Sequence, residues 1–295
     1  MRRKGSDIYA PARLSALEEA TAHLTPEALV DALAPHVTDA RAARLRDVFA
    51  ARLGSVTVLM DAPYDPHNGS AVMRTLDAFG VEELHVVERG KPFLAHASVA
   101  RGAHKWIDVR TYDAPGRALE TLRGRDFELV ATHPDGELRP EDLAAIPRLC
   151  IVMGNERTGI ADDLAAACTR RVSVPMRGFV ESLNVSVTAA ILLHGATRRR
   201  VGDLSPARRL ELFARGLLLS VERADEILME RGLLPHAPTR KAQPHPNAQG
   251  GWKPPKPKPS LRAHESASMR SIGTRARSRS ASLISIRGSR SRSAR

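Results

Sequence analysis

Between about residues 55 and 200 the chain alternates short apolar runs with helical patterns, and few folds accept that alternation. SVTVLMDA, EELHVVE, KWIDVRTY, DFELVATH, RLCIVMG and RVSVPM are rich in Val, Ile and Leu, as strands buried on both faces are. SAVMRTLDAFG, PGRALETLRG and ADDLAAAC lie between several of them and carry apolar residues at helical spacing. The alternation predicts an α/β domain with a mostly parallel sheet. Such a sheet binds ligands beyond the carboxyl ends of its strands. The segments following the strands are therefore the places to look: PYDPHNGS, His133-Pro134, GNERTG and RGFVESLN.

Helices flank this domain. PEALVDALAPHV and TDARAARLRDVFAARL have helical periodicity, with Thr25 and Thr38 placed as N-caps. SPARRLELFARG and SVERADEILMERG follow the domain. The expected organisation is an N-terminal helical region 1–54, the α/β domain 55–200, C-terminal helices 201–239 and a tail 240–295. The tail holds 14 of the 45 Lys and Arg but one of the 33 acidic residues, leaving 31 and 32 in 1–239. The net charge of +12 therefore belongs to the tail, and the body is close to neutral. WKPPKPKPS and TRARSRSASLISIRGSRSRSAR are too poor in apolar residues to repay ordering. A disordered basic segment attracted to phosphates in a salt-dependent way is expected there.

No apolar run approaches the ~18–20 residues of a membrane span, and MRRKGSDIYAPARL has no apolar leader core. Cys150 and Cys168 form neither a disulfide framework nor a metal-ligand spacing. A cytoplasmic protein without a metal site is expected. No G-x-G-x-x-G is present. Gly154 and Gly159 have P-loop spacing, but Ile160 stands where a lysine is required, so a nucleotide hydrolase is disfavoured.

Three polar stretches remain. In NGSAVMRTLDAFG, Asn68 reads as an N-cap and Gly80 as the glycine past a helix end. Arg74 points away from the apolar face of Val72, Leu76 and Phe79, and a surface pair with Asp77 would account for it. In GNERTG, two glycines permit close backbone approach to a ligand, while Glu156 and Arg157 could be solvated loop charges. In VPMRGFVESLNVSV, either Ser182 or Asn184 could cap the following apolar helix, yet one cap needs one residue.

Taken together and in this order, residues 68–80, IVMGNERTG and residues 174–187 resemble the motifs of the SpoU-type RNA ribose 2′-O-methyltransferases of the SPOUT superfamily, most of all the TrmH branch. ARGAHKWIDVRTY and DPHN are similar to family segments as well. The resemblance covers roughly 40–240. It implies a Rossmann-like sheet whose C-terminal part forms a deep trefoil knot, an exception to the rule against knots. It implies S-adenosylmethionine as cofactor, bound near Thr132–Pro134, Met153–Gly159 and Val174–Asn184. Thr132, His133, Gly154, Val174, Met176, Leu183 and Asn184 would contact it. The implied reaction moves a methyl group to a ribose 2′-hydroxyl, with guanosine 18 of the tRNA D-loop as target. Arg74 would activate the hydroxyl, Asn68 would fix Arg74 and the RNA, and Glu156, Ser182 and Asn184 would hold the site.

A guanidinium does not readily give up its proton. Either the site makes Arg74 basic, or Arg74 stabilises the developing alkoxide and orients a phosphate. The resemblance also implies a homodimer with the site near its interface. The flanking helices, RRRVGDLSPARR, and Arg41, Arg44 and Arg46 are candidates for gripping tRNA. The alternatives are ribosomal RNA or another tRNA position as substrate, or an RNA-binding protein without catalysis.

Overall fold

Val56–Asp61 (β1) is buried at every position, because it lies between two parallel neighbours in the middle of a sheet. In a computed structural model of the protein, the described residues are 17–90, 93, 100 and 102–235. The expected basic tail 240–295 and the first sixteen residues of the N-terminal region lie outside them. The remaining strands are Glu83–Val87 (β2), Asp108–Tyr112 (β3), Glu128–Thr132 (β4), Leu149–Met153 (β5) and Arg170–Val172 (β6). Their order is β3-β2-β1-β5-β4-β6, and every pairing is parallel. Val58 pairs with Leu84 on one side and Ile151 on the other. The chain thus builds outward from β1 through β2 and β3, then restarts across the sheet. That reversal places a crevice beyond the carboxyl ends of β1 and β5.

The described helices are Pro26–Leu33 (α1), Asp39–Ala50 (α2), Pro66–Ala78 (α3), Pro115–Arg123 (α4), Asp162–Ala165 (α5), Val185–Thr197 (α6), Pro206–Ser220 (α7) and Ala224–Glu230 (α8). Val72, Leu76, Leu192 and Leu193 of α3 and α6 pack on one sheet face, against Val58, Val86 and Ile151. Ala118 and Leu122 of α4 cover the other face, with Leu59, Val152 and Cys150. The helices before and after the α/β domain form a third apolar cluster, with Leu29, Leu45 and Phe49 against Phe213, Leu217 and Leu228. Arg208 joins it to the sheet through Glu82 and Asp108, both at 2.5 Å. Burial alone would raise the Glu82 carboxyl, and it outweighs the lowering effect of Arg208.

Thr25 and Thr38 cap α1 and α2, each accepting a backbone N–H at 3.2 Å. Gly80 has φ of +73°. Val81 N donates to Leu76 O at 2.9 Å and Gly80 N to Asp77 O at 3.1 Å, closing α3 in a Schellman motif. Two expectations are corrected. Asn68 does not cap α3: Asp65 does, accepting from His67 N at 2.8 Å, and Asn68 falls in the first turn. Asp77 does not pair with Arg74: it accepts from the buried Arg52 at 2.5 Å. The run RVSVPM forms only a three-residue strand. After Val172 the chain leaves the sheet, as Ser173 Oγ donates to Gly136 O at 2.9 Å and Pro175 has no N–H to give a ladder.

Candidate active site

A cleft of about 540 Å³ opens beyond the carboxyl ends of β4, β5 and β6, a size suited to a nucleoside-bearing ligand. Thr132 and His133 reach it from β4, Gly154 and Glu156 from the turn after β5, and Val174 and Met176 from the segment after β6. Ser182, Leu183 and Asn184 close it from the approach to α6, and Asn68 from α3. The structure thus gathers at one cleft every residue expected to form the site except Arg74. Arg74 is exposed on α3, six residues beyond Asn68 and ~9 Å further along the helix, outside the cleft lining. It has no ion pair with a described residue.

Side chains tie the three motifs together at the head of the cleft. Glu156 Oε2 accepts from Tyr64 N at 2.7 Å, and its Oε1 accepts from Asn68 Nδ2 at 2.8 Å. Asn68 Oδ1 in turn accepts from Asn184 Nδ2 at 2.9 Å. Asn184 Oδ1 accepts from Ser186 N at 2.8 Å and so caps α6. The cap is therefore Asn184 rather than Ser182, and its other end is committed to a second motif. Of the three polar residues before α6 only Asn184 serves as its cap, while Glu181 and Ser182 line the cleft.

The turn after β5 is held tightly. Asn155 and Gly159 exchange two backbone hydrogen bonds of 2.9 Å, and Asn155 Nδ2 donates to Ala62 O at 2.5 Å. A Cβ on Gly154 would lie 2.3 Å from Gly159 C, so the strand can enter this turn only as glycine. Gly136 is similarly enclosed, with Val172 C 2.4 Å from its notional Cβ. Beyond the turn, the buried Asp61 accepts from Ala161 N at 2.9 Å and pairs with Arg89 at 2.5 Å, which also holds Asp163 at 2.5 Å. Hydrogen bonds to Asp163 and Asp61 hold the Arg89 guanidinium firmly protonated, and the same contact lowers Asp163. This clamp was not legible in the sequence, because its members stand 28 and 74 residues apart.

The lining suits S-adenosylmethionine. Met153, Ile160, Val174 and Leu192 offer an apolar slot, while Thr132, Ser182 and Thr188 offer hydroxyls. The cradle is built from backbone that approaches too closely at Gly154 for any side chain.

Residues 55–194 match the SpoU rRNA Methylase family. The chain is 38% identical over 161 residues to the tRNA (guanosine(18)-2′-O)-methyltransferase of Escherichia coli (strain K12), spanning 54% of this chain and 70% of that one. It is 33% identical over 165 residues to the enzyme of the same name from Thermus thermophilus, covering 56% and 85%. The crystal structure of an Aquifex aeolicus TrmH/SpoU tRNA modifying enzyme superposes with a TM-score of 0.56 at 29% identity, covering 63% of this chain and 98% of that one. With its motifs joined at one cleft, the chain belongs to the SpoU family of RNA methylases.

Proposed function

We propose that this protein transfers a methyl group from S-adenosylmethionine to the ribose 2′-hydroxyl of a guanosine in tRNA, releasing S-adenosylhomocysteine and passing the hydroxyl proton to solvent, the position named in its relatives being guanosine 18. The observation that carries this reading is the Glu156–Asn68–Asn184 chain of hydrogen bonds at the head of the cleft. Bound S-adenosylmethionine supplies an electrophilic methyl on a sulfonium. Thr132, His133, Gly154, Val174, Met176, Leu183 and Asn184 hold it, largely through backbone. The protein's work is then positioning, since in-line attack rewards correct alignment. Asn68 and Ser182 orient the nucleotide, and Glu156 keeps Asn68 turned toward it. Arg74, exposed on α3 outside the cleft lining, would act on an RNA phosphate or the developing alkoxide once substrate is bound, as a group that stabilises charge rather than one that removes a proton.

The segments lining the cleft belong to the knotted arrangement of this superfamily, and a second copy of the chain completes the site. Exposed apolar residues at the entrance to α6 support that reading: Phe179, fully exposed, with Val180 and Val187. The described body would grip tRNA through local arginine patches, Arg198 and Arg199 among them, both exposed, and the basic tail would add salt-dependent attraction. Among the described residues no helix is long and apolar enough to cross a membrane; we place the protein in the cytoplasm with its tRNA.

The test is transfer of labelled methyl into unmodified tRNA and, separately, into ribosomal RNA, with the modified nucleotide mapped. Label at one D-loop guanosine is expected. Label confined to ribosomal RNA would keep the reaction and replace the substrate.

A further inference from the structure

Four guanidinium–aromatic stacks occur among the described residues, and one differs from the rest. Arg46 over Phe213, and Arg125 and Arg148 over Phe127, cover rings that are already core residues. Arg157 lies 3.8 Å from the ring centroid of Tyr64, a residue that is 49% exposed. Covering a core ring needs no further explanation. A ring held in place yet left in water does.

The backbone around Tyr64 is held by the turn after β5. The Tyr64 N–H donates to Glu156 Oε2 at 2.7 Å, and the carbonyl of Ala62, two residues earlier, accepts from Asn155 at 2.5 Å. Ala62 takes φ of +44°, a conformation costly for alanine and kept only where surroundings impose it. Arg157 is fixed as well, its N–H donating to Asn155 Oδ1 at 2.9 Å. Glu156, the group between these two, holds Asn68 at 2.8 Å. The Tyr64 backbone is therefore hydrogen-bonded to the same carboxylate that holds Asn68, one of the groups assigned to the nucleotide, and a cation lies over its ring. Unpaired nucleotides are recognised in this way, by stacking the base on an aromatic side chain while phosphates meet positive charge. The guanidinium orients the ring through its quadrupole and adds charge toward the backbone.

We propose that Tyr64, held beneath Arg157, is the platform on which the base of the target nucleotide stacks, and so positions the ribose for methyl transfer. The inference rests on the methyl-transfer reading above and adds a positioning residue to it. Tyr64 does not take part in the chemistry.

The experiment compares the full-length wild type with Tyr64→Ala, Tyr64→Leu and Tyr64→Phe. Steady-state methyl transfer into unmodified tRNA is measured together with affinity for S-adenosylhomocysteine. Loss of one base stack is expected to raise KM for tRNA about tenfold in Ala and Leu, with a smaller change in kcat and unchanged S-adenosylhomocysteine affinity. Tyr64→Phe keeps the ring face and should stay close to wild type. A wild-type KM in Ala would overturn the proposal. So would Leu performing as well as Phe, since packing rather than stacking would then be at work, and so would loss of S-adenosylhomocysteine affinity in Ala. If the wild type methylates neither tRNA nor ribosomal RNA, the methyl-transfer reading fails. The platform is then judged by fluorescence anisotropy of a labelled single-stranded guanosine-containing oligoribonucleotide. Weaker binding in Ala and Leu but not Phe supports it, and equal binding in all four proteins sinks it.

Discussion

Asn184 Nδ2 donates to Asn68 Oδ1 at 2.9 Å, across 116 positions of chain. Each side chain has a second obligation, Asn68 to Glu156 and Asn184 to the first turn of α6. The orientation of α6 and that of the α3 residue facing the cleft are thus one mechanical unit. Asn184→Asp separates the two jobs: the aspartate still accepts from Ser186 N and caps the helix, but cannot donate to Asn68. We expect an unchanged Tm and a fall in methyl transfer of about 100-fold, as for a misplaced reacting group. Asn68→Ala should fall by a similar factor, and the double variant by little more than either alone. Fully multiplicative losses would show that the two side chains act independently.

Arg74 has no described ion-pair partner, and Asp77, its expected one, is committed to Arg52. An exposed guanidinium without a described ion-pair partner can meet a substrate phosphate without breaking a pair. Arg74→Ala should therefore leave Tm and S-adenosylhomocysteine affinity at wild-type values and lower kcat by about 10²–10³, the cost of removing one stabiliser of developing negative charge. Arg74→Lys should recover part of it, since the charge remains but the planar fork is lost. An Arg74→Ala protein with wild-type turnover would remove the residue from the reaction.

Gly154 and Gly116 separate crowding from helix propensity. In Gly154→Ala the new Cβ would meet the backbone of Gly159 and Ile160 at 2.3 and 2.4 Å, and neither can swing aside as a side-chain tip could. The turn must open, carrying Asn155 and Glu156 away from Ala62 and Asn68. We expect a stability loss of about 1–3 kcal/mol and at least a tenfold loss of S-adenosylhomocysteine affinity by calorimetry. Gly116→Ala, in the first turn of α4 with nothing within 4 Å of the new atom, should be neutral or slightly stabilising. Equal behaviour of the two would contradict the crowding argument.

The parts legible in the sequence were those with local signals. Buried parallel strands announce themselves as apolar runs, and Thr25, Thr38 and Gly80 act through neighbours three or four residues away. The segments of the cleft were legible because most of them follow a strand directly, and the resemblance to the SpoU motifs supplied the individual residues. What failed was the choice of partner. Asp65 and Asn68 are both good caps by type, and only tertiary structure assigns Asn68 to Glu156. Asp77 has Arg74 three residues before it, yet accepts from Arg52, 25 positions away. Arg52 is 1% exposed, and a buried guanidinium needs a charge partner more than an exposed one does. Tyr64 carried no signal either, since a tyrosine in a loop is ordinary until its exposure and its stack with Arg157 are known.

Acid should destabilise the fold through His85. Its ring is fully buried between β1 and β3, with Tyr112 Oη 2.8 Å from Nδ1. Nε2 faces Glu83 Oε2 at 3.6 Å. Burial pushes the His85 pKa below 6.5, so the folded protein keeps it neutral while the unfolded chain takes up a proton as pH drops through about 6.5. Stability from this group is complete above that pH and declines below it, by at most ~1.4 kcal/mol per pH unit. The half-buried His104 is shifted the same way by burial. Burial alone would raise Glu83, but His85, Arg110 and Arg125 outweigh it and hold the carboxyl well below 4.5, so its contribution is lost in turn as pH falls below that value. Urea midpoints measured from pH 7.5 to 5.5 should decline, and His85→Gln should flatten part of that decline. A midpoint independent of pH over this range, or a slope that His85→Gln leaves untouched, would mean that His85 does not titrate as its burial demands.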